Sequence, residues 1–206
     1  MKNTSISAIA IIGIATSLTA APLEFDFKDP KGVNNASFKL DAPLESISGS
    51  ANGLSGMVTF DTEKPAALKG KIVVESSTLH VGNPMMQGHL QSDKWMDVAK
   101  FPQITFETTS VANVKTEGTV TTADVTGKLT IKDVTKELTV PVKLTYLKDK
   151  LSARFPAKQG DLLVLRSDFT IKRGDFNIMP GQMEDKVSDT ITLSLSVAGM
   201  GCVTGK

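Results

Sequence analysis

Leu138-Thr139-Val140-Pro141-Val142-Lys143-Leu144-Thr145-Tyr146-Leu147 is the stretch whose reading decides the fold. Leu138, Val140, Val142, Leu144 and Tyr146 fall on one face, with Thr139, Pro141, Lys143, Thr145 and Leu147 between them. A period of two is the geometry of a strand, because successive side chains leave opposite faces of a sheet. The same pattern returns at Ile191, Leu193, Leu195 and Val197, set against Thr190, Thr192, Ser194 and Ser196. A third row runs through Val125, Gly127, Leu129 and Ile131, opposite Thr126, Lys128, Thr130 and Lys132. One apolar face and one wet face mark an antiparallel sheet, since strands of a doubly wound parallel sheet are apolar on both. The apolar faces must be covered and the chain offers few helices to do it, so the expected solution is all-β: an antiparallel sheet that closes on itself.

The rest of the chain supports that expectation. Strands are expected around Ala36–Asp41, Leu54–Phe60 and Leu68–Ser76, separated by Pro43, the 49–53 stretch and the Glu63-Lys64-Pro65 turn. Short strands broken by such signals argue for a sandwich or barrel. Pro84 to Val98 breaks the rhythm: Met85, Met86, Leu90, Trp95 and Met96 at mixed helical spacing predict one or two short helices. Strand character resumes at Ile104 and Phe106 and again over Val111–Lys115, and Lys132 to Thr135 is a tight polar turn that makes the Val125 and Leu138 rows a hairpin. The residues from Leu147 to Gly160 are expected to be a charged connection. Phe169 and Ile171 lie in a strand that ends near Arg173, and 174–186 is a loop. The count is eight or nine strands.

Composition narrows the classes. Residues 1–20 read as a secretory signal peptide: Lys2 precedes an uncharged apolar run that ends in small residues and is short for a bilayer span. The implied location is the periplasm or the outside of the cell, with no stable membrane insertion. Residues 21–35 read as a poorly committed lead-in, 36–200 as the barrel and 201–206 as a tail. With 23 basic and 22 acidic residues in no long run of one sign, and one tryptophan and one tyrosine, nothing points to nucleic acid. Cys202 is the single cysteine, so no internal disulfide forms, and it is read as a surface thiol, with a disulfide-linked dimer as the other choice.

Catalytic motifs are absent from the sequence. There is no Gly-x-Ser-x-Gly elbow, phosphate loop or His-Glu-x-x-His, and His80 and His89 lack partners at metal-ligand spacing. No charged residue falls in the three inward rows. A general acid or base inside the barrel would have to be Asp168, Arg173 or Asp175, and Arg173 with Asp175 reads as an ion pair at the barrel end. The expectation is no enzyme, no cofactor and no metal.

Three ordered blocks carry a resemblance. Gly88-His89-Leu90-Gln91-Ser92-Asp93-Lys94-Trp95-Met96-Asp97-Val98 runs on into Phe101-Pro102-Gln103-Ile104-Thr105-Phe106. Val125 to Lys136 follows, and then Phe169 to Ile178 with Val187-Ser188-Asp189. Together they resemble the YceI-like family of exported bacterial proteins associated with polyisoprenoid lipids. The pattern departs at Met86-Gln87-Gly88, where many members carry an Arg-Asp pair, and at Asn177, where glycine is usual.

The resemblance implies a lipocalin-like barrel of eight strands with a helical cap, holding an isoprenoid lipid or isoprenoid quinone in its lumen. On that reading the pocket is lined by Phe106, Leu129, Ile131, Val140, Val142, Leu144, Leu193 and Leu195, with Trp95 at the helical lid. Met85, Met86 and Met96 are either adaptable groups at the mouth or ordinary core filler. The implied function is sequestering or carrying such a lipid. The alternative is a barrel packed solid, acting as an interaction or stress-response scaffold through loops such as 174–186.

Overall fold

The computed structural model describes residues 22–202, with the side chain of Cys202 excepted. The signal peptide expected over 1–20 and residues 203–206 lie outside the described residues, as does the thiol of Cys202.

Eight strands close into an antiparallel barrel. They are β1 (Leu23–Asp26), β4 (Leu54–Phe60), β5 (Lys69–Glu75), β7 (Gln103–Glu117), β8 (Val120–Ile131), β9 (Val134–Leu147), β10 (Gly160–Lys172) and β11 (Thr190–Cys202), in that order around the wall. Closure is made by β1, which pairs with β4 along its length and with β11 at Asp26–Met200. Farther along the same edge of β11, over Thr192–Ser196, the partner is β2 (Asn35–Asp41). Two more strands, β3 (Ser46–Ala51) and β6 (His80–Val81), extend the sheet from there. The short helix α1 (Pro84–Gln91) joins β6 to the turns that lead into β7.

The long hairpin sets the register. Ile131 and Val134 are partners, and the two residues between them, Lys132 and Asp133, have φ of 49° and 58°. Two positive φ values in a two-residue loop match the right-handed twist of the strands it joins. β9 is paired with β8 from Val134 to Thr145 but with β10 only from Lys143 to Leu147. Beyond that point the two strands part, and the Ser167 hydroxyl donates to the Pro141 carbonyl at 2.7 Å where the ladder stops.

One end of the lumen is filled. Phe25, Phe27 and Leu163 are fully buried there with Phe60, Leu144 and Val197. Phe25 meets Tyr146 edge-on at 6.3 Å, and Tyr146 donates to Asp161 at 2.8 Å. Below them the helix α2 (Leu151–Arg154) buries Leu151. The loop from β1 to β2 is locked by Asn34, which donates to the Phe27 and Ala198 carbonyls and accepts from the Ala198 amide at 2.9 Å. Beside it Asp29 accepts from the amides of Lys31, Val33 and Asn34 and from Arg154 at 2.7 Å.

Four expectations are corrected. Among the described residues there are eleven strands: the two expected over 104–115 are one, β7, which leaves eight of those expected, and β1, β3 and β6 are added to them. The lead-in 21–35 holds β1, whose Phe25 and the following Phe27 are core residues that close the wall. The tail begins later than Gly201, since Gly201 and Cys202 belong to β11. The 147–160 connection is partly α2, and Gly160 already begins β10.

Candidate functional site

Above the filled end the barrel is hollow. A cavity of about 860 Å³ occupies the rest of the lumen and opens between α1 and the 174–189 segment. A lumen packed solid, the other outcome of a period-two pattern, is not what the inward rows produce.

Seven of the expected wall residues line the cavity: Phe106 from β7, Leu129 and Ile131 from β8, Val140 and Val142 from β9, Leu193 and Leu195 from β11. Phe106 has its place because its ring lies over Gly127, the diagonal neighbour that pairs with Thr108, where a Cβ would come within 2.4 Å of the ring. Trp95 lines the cavity at the capped end, half-buried. Leu144 does not line it. It points the same way as Val142, but one step farther along β9 the lumen is already occupied by Phe25, Phe27 and Phe60, and Leu144 is core.

Sequence reasoning missed the rest of the wall. Phe38 and Leu40 of β2, Ile47 of β3, Ile72 and Val74 of β5, and Phe169 and Ile171 of β10 also line the cavity. The signal was present in the alternation of Phe38 with Leu40 and of Ile72 with Val74, over rows too short to assign a direction.

The lid is organised by a buried cation. Arg173 is fully buried, and its guanidinium donates to five carbonyls of the segment that follows it: Ile178 at 2.8 Å, Val187 at 3.0 Å, Ser188 at 3.2 Å, and those of Met179 and Gln182. The ion pair expected with Asp175 is not formed; Asp175 is exposed, and backbone carbonyls satisfy all the donors instead. The guanidinium also lies 5.7 Å from the Trp95 ring centroid. Lys132, from the β8–β9 turn, donates to the Trp95 carbonyl at 2.5 Å.

Both departures from the family pattern have a local account. Gln87 accepts from the Val81 amide at 2.9 Å and donates to the Leu79 carbonyl at 2.8 Å, fastening α1 to β6. Asn177 has φ of 55°, the left-handed conformation that glycine adopts freely and asparagine tolerates. The start of α1 is capped by Asn83, whose side chain accepts from the amides of Met85 and Met86.

The polar groups of the lining sit mainly at the rim: Glu45, Asn83, His89, Ser92, Lys94 and Lys186. Asp168 is exposed on the outer face of β10. Asp29, Asp41 and Tyr146, whose pKa values are displaced, stand outside the lining. Among the described residues no group of three His, Cys, Asp or Glu side chains is placed to hold a metal ion. Among them, too, no helix is long and apolar enough to cross a membrane. The arrangement offers an apolar molecule a deep wall and a polar rim.

Comparison with known proteins agrees with this architecture. The YceI-like domain profile matches residues 23–198. A UPF0312 protein of Yersinia enterocolitica serotype O:8 is 33% identical over 153 residues, 74% of this chain and 72% of that protein. A UPF0312 protein of Yersinia pestis (strain Pestoides F) is 40% identical over 63 residues, so the chain spans 33% of that relative's length. Among solved structures, Burkholderia cenocepacia BcnA superposes with a TM-score of 0.63 at 24% identity, covering 80% of this chain and 94% of that one. A polyisoprenoid binding domain from Saccharophagus degradans, described as implicated in plant cell wall breakdown, gives 0.62 at 13% identity, covering 88% and 99%. At these identities the superpositions speak for the fold, and the profile spans nearly all of the described residues. The chain belongs to the YceI-like family.

Proposed function

We propose that this protein is an exported, non-catalytic carrier or sequestering protein for a long apolar isoprenoid lipid or isoprenoid quinone, working in the periplasm or outside the cell after signal-peptide removal. The observation that carries the reading is the cavity of about 860 Å³, mostly apolar along its walls, closed below and with its charged and most of its polar groups toward the rim. The description of the Saccharophagus relative as a polyisoprenoid binding domain supports the cargo class.

The physics suits such a cargo. Burial is worth about 0.8 kcal/mol per CH₂, so a five-carbon isoprene unit contributes about 3 to 4 kcal/mol before the costs of association and ordering. Three or four units therefore hold tightly without a hydrogen bond. The tail enters first, and the head group stays among Asn83, His89, Lys94 and Lys186. Within the walls the hydroxyl of Ser167 is already donated to the Pro141 carbonyl, which suits a binding role.

Native mass spectrometry tests the reading, on mature protein purified without detergent from its own cells, followed by extraction of whatever is bound. An added mass that proves to be an isoprenoid is the expected result. A bare polypeptide that stays bare after incubation with isoprenoid quinones and polyprenyl lipids would sink it.

A further inference from the structure

Five of the seven methionines among the described residues line this one cavity. Met85 and Met86 come from α1, Met96 from the turn after it, and Met179 and Met183 from the segment held by Arg173. The other two lie elsewhere, Met57 exposed on β4 and Met200 in the small core beside α2. The two groups are some ninety residues apart in the chain and meet only at the mouth. Their exposure is graded: Met85 is 73% and Met183 48% exposed, Met86 and Met179 are half-buried, and Met96 is 7% exposed. Met179 and Met183 sit at φ of 46° and 55°, a conformation in which a bulky side chain is uncommon; the Arg173 guanidinium on the Met179 carbonyl, and the Lys186 and Val187 amides on that of Met183, hold them at the rim against a backbone preference.

From this placement we propose that the rim methionines Met85, Met86, Met179 and Met183 are a modification site, whose oxidation to sulfoxide by a peroxide releases apolar cargo from the barrel. The proposal rests on the carrier reading. In the step, a thioether sulfur lone pair attacks one peroxide oxygen. The O–O bond breaks, an S–O bond forms, and the departing oxygen leaves as water after taking up the peroxide proton. Sulfur is oxidised by two electrons and the peroxide is reduced by two.

The product is polar and accepts hydrogen bonds, where the thioether was a flexible apolar surface. Four such changes hydrate the ring across which an isoprenoid chain passes and remove its last apolar contacts. Met96, deeper and buried, serves as the internal control. Sulfoxides are reversible by reductases, so the site can reset.

The test uses the mature chain, N-phenyl-1-naphthylamine as a fluorescent occupant and geranylgeraniol as its competitor. Affinities are measured before and after graded hydrogen peroxide, with sulfoxides located by peptide mass spectrometry. Sulfoxide is expected first at Met85 and Met183 and last at Met96. Affinity for geranylgeraniol should fall about tenfold, the ratio that ~1.4 kcal/mol of lost contact gives. It should recover after treatment with methionine sulfoxide reductases of both epimer specificities. A variant carrying M85L, M86L, M179L and M183L keeps apolar volume and cannot be oxidised there; it should hold its affinity through the same treatment. Rim sulfoxides without a change in affinity, or an equal loss in the leucine variant, overturn the proposal and leave the carrier reading standing. Unoxidised protein that binds neither probe nor geranylgeraniol removes both.

Discussion

Val142 and Leu144 stand two positions apart on the same face of β9, yet one faces a void and the other a packed core. Their substitutions should therefore behave differently. Leu144→Ala removes contacts with Phe25 and Phe60 neighbours that have little room to collapse, and should cost about 2–5 kcal/mol in denaturant titration. Val142→Ala borders space that already exists and should cost about 1 kcal/mol or less, with apolar-ligand binding kept. Val142→Asp places a carboxylate in the apolar wall. It should abolish loading of an apolar probe while far-UV circular dichroism still reports a folded barrel; retained loading in the folded variant would contradict the assignment of this face to the lumen.

The lid segment 174–187 contains one single-turn helix and otherwise turns, so its shape depends on what it is tied to. Arg173 is that tie, and Arg173→Met leaves four of its five carbonyl partners without a donor, the Met179 carbonyl alone still accepting from the Gln182 amide, at about 1–3 kcal/mol for each that stays buried and unsatisfied. The expected result is rapid proteolytic cutting between 174 and 187 and faster release of a bound apolar probe, with the barrel strands still protected from hydrogen exchange. A lysine at 173 should rescue little, because an ammonium cannot reach five acceptors in a planar fork. Arg173 also shows why part of the site was illegible. Its neighbour Asp175 invites an ion pair on paper, whereas carbonyls as acceptors leave no mark on side-chain identity. Elements differ in the same way. β8, β9 and β11 were readable because core and solvent lie on opposite faces and the residues alternate. β3, Ser-Ile-Ser-Gly-Ser-Ala, is too small and polar to look like a strand, and it exists because β2 pairs with it along its length. The start of β10 is buried on both faces from Gly160 to Leu163, so Asp161-Leu162-Leu163 shows no period and carries no strand signal of its own. β1 has four residues, below what any periodicity can resolve.

At the scale of the molecule, acid and alkali act on different ends of the stability curve. Burial alone would raise the Asp29 pKa, but the amides of Asn34, Lys31 and Val33 and the Arg154 charge outweigh it and hold the carboxyl below its ordinary 3.8. A carboxyl lowered in the folded state stabilises above its unfolded value, and that contribution is lost as pH falls through the folded one. Asp29→Asn should therefore lower Tm at pH 7 and flatten its fall below about pH 4. Tyr146 is the reverse case. Burial first, then its bond to Asp161 and the charges of Asp161 and Asp149, push it up to about 12 from 10.0. Its contribution is full below pH 10 and drains away as pH rises toward 12. Tm scans of wild type and Tyr146→Phe should converge over that interval. The phenylalanine floor has a kinetic meaning as well. A blind sac gives a newcomer no back door through which to push the resident out, so turnover of a cargo held there is strictly dissociative. In a stopped-flow chase the release rate of a bound fluorophore should stay the same as the competitor is raised a hundredfold.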